Sequence, residues 1–350
     1  MKLLNLINKA IFSHRKNLSD HSLGKVLVVS NTGFGDTLLS TPAIKSLRKS
    51  FPKQEITFLV NKKFFTLFED YKYVDNIWKY TGGYVNLFFI IAKCRIKRIH
   101  TILLFHSNGP EDIFVSLLSG ARNILKWTDN LNHEYRTFFS NTLTNDKKHN
   151  IEKKNDLVRY FNPSIIDTTM SVSDRYYEQE GIDYLPKTKK IIGIQIGAQD
   201  TYKIWPVKNI IKLSQILIEQ NYYVVFFGAT KTESQMMSKI ENSIKPSNFL
   251  NLCCKTKVEE LPSILKSLDL LVTNDTGILH LAIAMEVKSL SLFSPTSCTE
   301  FGAYQDKELH FSIQKDGFFV NDRPKKQRTQ DGMELISVDE VFLKIKEIVC

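Results

Sequence analysis

Lys25-Val26-Leu27-Val28-Val29-Ser30, followed by Asn31-Thr32-Gly33-Phe34-Gly35-Asp36, is the stretch on which the reading of the fold turns. The apolar run is short, β-branched and unbroken, which suits a strand buried on both faces. The loop after it gives way to a helical pattern. Its apolar positions Leu38, Leu39, Ile44 and Leu47 fit one helix face, and Pro42 stands near the start, where proline is tolerated. The design returns later in the chain. Ile191-Ile192-Gly193-Ile194-Gln195-Ile196 is a second run, and Gly197-Ala198-Gln199-Asp200-Thr201-Tyr202-Lys203 is its loop. Pro206 then opens a helical pattern through Ile210, Ile211, Leu213, Ile216 and Leu217. Each is a strand–loop–helix unit, the opening of an α/β domain.

Working outward, strands and helices alternate after each opening. Glu55–Val60 and Thr101–Phe105 read as strands in the first half, and Tyr222–Phe227, Leu270–Val272 and Ser289–Phe293 in the second. Ser337 to Val349 has helical spacing. The stretch from about 170 to 190 is polar, holds Pro186 and has no clear strand, so a domain boundary is expected there. The expected domains are 1–175 and 186–350. Two doubly wound sheets in tandem turn the carboxyl ends of their strands toward a shared crevice, so functional loops should come from those ends.

Composition agrees with this plan. A chain of 350 residues suits about two domains, and 43% hydrophobic with 24% charged residues is ordinary for a globular protein. Lys and Arg outnumber Asp and Glu by ten. That excess suits an anionic partner, whether nucleotide, phosphorylated glycolipid, membrane or nucleic acid, or simply a solvated lysine-rich surface. Nucleic acid fits poorly, because the basic residues form no stripe with interleaved aromatics. Cysteines at 94, 253, 254, 298 and 350 have neither CxxC nor zinc-ligand spacing, as in a reduced cytoplasmic protein. No apolar run reaches the roughly 20 residues of a membrane span, and the N-terminus does not read as a signal peptide.

Three motifs carry chemistry. Gly33-Phe34-Gly35-Asp36 is not a dinucleotide fingerprint: Leu38 stands where the third glycine belongs, and Asp36 would repel a pyrophosphate from the positive helix end. Asp36 is either a general base for an acceptor hydroxyl or a helix cap. Asn274-Asp275-Thr276-Gly277-Ile278-Leu279-His280 directly follows a strand. Its turn can hold phosphate at Thr276 and Gly277, with Asp275 offered to a sugar and His280 near the first turn; the plain alternative is an N-cap Asp with a packed His. Lys203, before Trp205-Pro206, can neutralise a leaving diphosphate or be a solvated lysine. No Asp-x-Asp pair and no metal-ligand cluster is present, so protein groups are expected to neutralise the diphosphate without metal.

Together these residues resemble glycosyltransferase family 9, which contains the ADP-heptose:lipopolysaccharide heptosyltransferases. The likeness runs through Val26–Pro42, Gly197-Ala198 to Trp205-Pro206, Phe227-Gly228 with Glu233, Thr256 with Leu261, Asn274–Gly277 with His280 and Ala282, and Ser294-Pro295-Thr296 with Gly302-Ala303-Tyr304. The resemblance implies a GT-B fold, two Rossmann-like domains facing a central cleft. It implies inverting, metal-independent transfer of a sugar from ADP-heptose or another nucleotide-sugar to a lipopolysaccharide core or related glycan, with no cofactor besides this donor. It makes Asp36 the base, beside Gly33 and Gly35, and Lys203 a diphosphate ligand. Asp275 would contact the donor sugar, Thr276 and Gly277 phosphate or sugar, Glu233 the ribose, and residues near Thr256 the nucleobase. The chain departs from the family at Ala198-Gln199-Asp200, Gly228-Ala229-Thr230 and Glu286–Ser289. Competing readings are a Rossmann oxidoreductase or epimerase, and a non-catalytic sugar-nucleotide-binding protein.

A glycolipid acceptor would make docking on the inner face of the cytoplasmic membrane sensible. Two basic amphipathic stretches, within 1–20 and at 85–98, could lie on an anionic surface. For 85–98 a core-packed helix with a solvated end is the simpler reading.

Overall fold

The computed structural model describes residues 22–106, 111–127, 141–143, 148–245, 248–315 and 327–349. The chain divides into two compact units between Asp174 and Arg175. The first contains β1 (Val26–Ser30), α1 (Phe34–Leu38), α2 (Thr41–Ser50), β2 (Ile56–Asn61), β3 (Asn76–Tyr80), α3 (Gly83–Lys97), β4 (Thr101–His106), α4 (Glu111–Leu118), β5 (Asn123–Trp127), β6 (Asn141–Leu143) and α5 (Asn150–Arg159). The second contains α6 (Arg175–Glu178), β7 (Ile191–Gln195), α7 (Val207–Glu219), β8 (Tyr223–Phe227), α8 (Lys231–Glu241), β9 (Phe249–Asn251), α9 (Leu261–Lys266), β10 (Leu270–Asn274), α10 (Gly277–Ala284), β11 (Ser289–Phe293), α11 (Cys298–Phe301), β12 (His310–Gln314), α12 (Asp331–Glu334) and α13 (Val338–Val349).

Each unit is a wholly parallel six-stranded sheet, in the orders β3-β2-β1-β4-β5-β6 and β12-β11-β10-β7-β8-β9. The chain leaves β1 in one direction and returns to its other side at β4, and it repeats this around β7 and β10. The β1/β4 and β7/β10 boundaries are therefore topological switch points, where loops diverge and open a crevice at the strand ends. Strands β1 and β10 are buried throughout, and β4 and β7 everywhere but their last residue. Ile192, Ile194, Val224 and Phe226 pack with Ile210, Leu213 and Leu217 of α7 and Val341 and Ile345 of α13. Leu27, Val29, Ile102 and Leu104 pack with Leu87, Ile90, Ile91 and Cys94 of α3. Removing several such side chains from water supplies the main driving force for each unit, at roughly 1.5–3 kcal/mol apiece.

The structure departs from the sequence expectations in three places. The helix after Asp36 is two helices, α1 and α2, broken at Leu39-Ser40. Pro42 has no N–H to donate to Leu38, and the Thr41 hydroxyl takes that carbonyl at 2.7 Å. The Ser40 hydroxyl likewise bonds Asp36 O at 2.7 Å. Strands β3, β5, β6, β9 and β12 carried no clear sequence signal, because they lie at or next to sheet edges and mix polar with apolar residues. Finally, α3 is not a core-packed helix with only its end solvated: its outward face is apolar and exposed. The amphipathic stretch within 1–20 lies outside the described residues. Among the described residues no helix is long and apolar enough to cross a membrane.

Candidate active site

In the first unit, β1 delivers the chain into Asn31-Thr32-Gly33, and Gly33 takes the N-cap position of α1 in extended conformation. A Cβ at Gly33 would stand 2.5 Å from Asp36 Oδ2, so the carboxylate folds back over the loop and a larger residue beneath it would displace it. Gly35 lies between them in the first turn. The cap reading of Asp36 gives way here, because Asp36 is the third helical residue and its partner is at the end of the neighbouring strand. His106 Nε2, at the end of β4, lies 3.4 Å from Asp36 Oδ1. The other ring nitrogen, Nδ1, is hydrogen-bonded to the Thr32 hydroxyl. A register shift between Val29 and Ser30 pairs Ser30 with His106, and the Asn31 N–H donates to His106 O at 3.1 Å. This irregularity carries His106 to the edge of the switch point.

A third group acts on Asp36 from α5. Lys154 is 3% exposed. Burial lowers its pKa from 10.5 to about 8, against the opposing pull of Asp36 and with a further push from Lys153. The first unit thus presents a partly open carboxylate with an imidazole on one oxygen and a buried ammonium in its field. That arrangement can take a proton from a hydroxyl.

In the second unit, Lys203 closes the short 3-10 turn Thr201–Lys203 after β7. Its Nζ lies 2.6 Å from Oδ2 of Asp275, which follows β10, and their side chains are 17% and 6% exposed. The Thr296 hydroxyl donates to the same oxygen at 2.7 Å. Asn274 stitches the two loops: it accepts from the Trp205 N–H at 3.2 Å and donates to Gly197 O at 3.2 Å. Asp200 accepts from the Tyr202 hydroxyl at 2.9 Å, and the Lys203 ammonium is held by Asp275.

Asp275 is not the helix cap. Thr276 is, in extended conformation and without a side-chain cap bond; its Oγ1 lies 3.2 Å from Thr273 Oγ1. Gly277 opens α10, whose first-turn N–H groups form an anion-attracting helix end. His280 is buried within α10 rather than presented at its mouth.

Glu233 is 4% exposed. Its Oε2 accepts the N–H groups of Ala229 and Thr230 at 2.7 and 2.8 Å, and its Oε1 accepts from Gln195 Nε2 at 3.2 Å. Thr230 and Glu233 form a capping box on α8. A Cβ at Gly197 would meet Glu233 Oε1 at 2.1 Å, so this carboxylate underlies the Lys203 loop. Thr256 is half-buried in the segment that follows β9. Cys94 and Cys253 are pushed up to about 12 by burial and are not nucleophiles at neutral pH.

Residue-type reasoning missed His106, Lys154 and the role of Thr296. His106 ends a strand already read from the sequence, so the rule that function sits at strand ends could have found it. Lys154 had no such signal: α5 buries Lys153, Lys154 and Asn155 in succession, which breaks amphipathic spacing.

Residues 135–327 match the family model described as glycosyltransferase family 9 (heptosyltransferase). The β1 loop with Asp36 lies outside that segment. The lipooligosaccharide heptosyltransferase 2 of Campylobacter jejuni is 22% identical over 299 residues, which cover 81% of this chain and 85% of the relative. The structure of the Escherichia coli ADP-heptose LPS heptosyltransferase II superposes with a TM-score of 0.73 at 19% identity, over 93% of this chain and 98% of that one. An E. coli heptosyltransferase with ADP-2-deoxy-2-fluoro heptose gives a TM-score of 0.67 at 14% identity, over 92% and 99%. These similarities extend over both sheets and assign the GT-B class of fold. Because the family match takes in more than half of the sequence, the chain belongs to glycosyltransferase family 9, the heptosyltransferase family.

Proposed function

We propose that the enzyme transfers a heptose from ADP-heptose to a lipopolysaccharide-type core glycan, inverting the anomeric carbon without a metal ion. The reading is carried by one observation: the partly open Asp36 carboxylate stands at the first unit's switch point, with His106 on one oxygen. Asp36 takes the proton of the acceptor hydroxyl, and that oxygen forms the new bond to the anomeric carbon as the carbon–diphosphate bond breaks. The imidazole, donating from Nε2 to Oδ1, leaves the other oxygen to face the acceptor.

The donor half belongs to the second unit. Lys203 and the N–H groups at the start of α10 neutralise the leaving ADP. An ammonium has three donors, so Lys203 can hold Asp275 and still offer a proton to phosphate. Asp275 positions Lys203 and borders the donor sugar, with Thr276 and Gly277 beside the phosphates. Glu233 shapes the Lys203 loop and the Ala229-Thr230 turn from beneath, where its remaining lone pairs border the ribose. The nucleobase lies toward Thr256. The acceptor, carried on a lipid, is met at the cytoplasmic face of the membrane.

The test pairs turnover with donor binding in an Asp36→Ala variant. Turnover of ADP-heptose should fall by about 100- to 10,000-fold, as expected for removal of a general base. The stabilisation of Tm by ADP-heptose should persist, and it should exceed that from UDP-, GDP- and CMP-sugars at equal concentration. Turnover like the unaltered enzyme would remove Asp36 from the mechanism, and a larger shift with another nucleotide would overturn the donor.

A further inference from the structure

Helix α3 is apolar on both faces, which a solvated helix in a globular protein ordinarily is not. Leu87, Ile90, Ile91 and Cys94 fill the core side. On the other side Tyr84, Val85, Phe88, Phe89 and Ile96 are each between 62% and 78% exposed. Val85, Phe88, Phe89 and Ile96, with exposed Ala92, follow helical spacing and form one stripe. Such a patch, on the order of several hundred Å², reaches the size at which exposed apolar surface marks an interaction site.

The charges beside the stripe identify the partner. Lys93, Arg95, Lys97 and Arg98 are all exposed at the helix's C-terminal half. No acidic residue occurs between Gly83 and Arg98. Their complementarity to the helix dipole explains basic residues at this end. It does not explain two adjacent phenylalanines and an isoleucine turned to solvent. An apolar ridge flanked by cations and bare of carboxylates matches an anionic bilayer surface, where rings enter the acyl boundary and ammonium or guanidinium groups meet phosphate.

We propose that the outward face of α3 is a membrane-docking surface for anionic phospholipid. The reading of a lipid-borne acceptor supports this choice of partner, while the surface itself is argued from α3 alone. Docking would hold the first unit against the bilayer that carries the acceptor.

The test uses the full chain and vesicles of phosphatidylethanolamine with 30% phosphatidylglycerol, and of phosphatidylcholine alone, without donor or acceptor. The unaltered protein should co-sediment with the anionic vesicles and much less with phosphatidylcholine. Phe88→Ser with Phe89→Ser, both on the exposed face, should weaken binding by about tenfold or more. Lys93→Gln with Lys97→Gln should weaken binding and flatten its salt dependence. The ADP-heptose shift in Tm should be unchanged in both variants, which shows that they fold and separates this outcome from failure of the donor reading. Absence of anionic-vesicle binding at low salt would overturn the proposal, and so would equal binding by the phenylalanine variant. A dimer that becomes monomeric in that variant, without vesicle binding, would assign the face to a second copy of the chain instead.

Discussion

Replacing Lys154 with methionine should make this enzyme more stable and less active. Methionine nearly matches the length of the lysine stem but needs no solvation. The buried ammonium has a pKa of about 8 in the folded chain, against 10.5 for an ordinary lysine. At 1.36 kcal/mol per pH unit, that gap makes the charged form cost the folded state about 3 kcal/mol. Between about pH 8 and 10.5 the unfolded chain binds more protons than the folded one, so stability rises with pH across that window. Below pH 8 the cost is fully present; near 10.5 it has gone. Lys154→Met should therefore raise stability at pH 7 by up to about 3 kcal/mol, which is roughly 6–12 °C in Tm for a unit of this size. The gain should shrink steadily toward pH 10.5.

The assay is urea unfolding of both proteins at pH 7, 8, 9 and 10. The opposing pull from Asp36 adds an internal control. Asp36→Asn removes that pull, so at pH 7 it should destabilise the lysine protein more than the Lys154→Met protein. Turnover should fall several-fold in Lys154→Met, because a positive charge leaves the field of the proposed base; a stability gain with an activity loss is expected where a strained group serves function. A variant no more stable than its parent at pH 7, or a gain that stays flat from pH 7 to 10, would refute the reasoning.

Two further predictions concern the pairs at the switch points. Lys203→Ala leaves the Asp275 carboxylate with the Thr296 hydroxyl but no counter-charge, and should cost about 2–3 kcal/mol, less than a fully buried pair because Lys203 retains some contact with water. It should also weaken ADP-heptose binding at least about tenfold, read from the ligand-induced shift in Tm; unchanged donor affinity would remove Lys203 from the diphosphate site. His106→Gln keeps an N–H donor near Asp36 and should hold turnover within a few-fold, whereas His106→Ala should lose about tenfold or more. Equal losses in the two would sink the orienting hydrogen bond.

The central strands and their loops were legible because buried parallel strands demand continuous apolar runs, and Lys25–Ser30 and Ile191–Ile196 have them. The break between α1 and α2 was not, since Leu38, Leu39, Ile44 and Leu47 suggest one helix while the decisive event is a carbonyl claimed by the Thr41 hydroxyl in front of a proline. The motif residues Asp36, Lys203 and Asp275 could be picked out by type, but which residues they pair with could not be told from type alone. His106 lies 70 residues from Asp36 and Lys203 lies 72 from Asp275, and only strand order brings them together. Glu233 shows a second limit: its place in a motif suggested a ribose ligand, but nothing in the pattern told that it also braces two loops by accepting from Gln195, Ala229 and Thr230.

The two units use one geometry with the charges exchanged. In each, a residue on the loop after the first central strand reaches a residue at the end of the strand across the switch point. In the first unit the loop carries the carboxylate, Asp36, and β4 brings an imidazole to 3.4 Å. In the second the loop carries the cation, Lys203, and β10 brings a carboxylate to 2.6 Å. On the proposed mechanism, the inversion follows from what each half of a glycosyl transfer requires. A base must keep an oxygen open to a neutral hydroxyl, so its partner is long-range and its carboxylate partly exposed. A cation awaiting a diphosphate must be held in place before the anion arrives, and a short pair with a buried carboxylate does that. On the proposed mechanism, the looser pair and the tighter pair are therefore the same geometry adapted to proton acceptance in one unit and anion binding in the other.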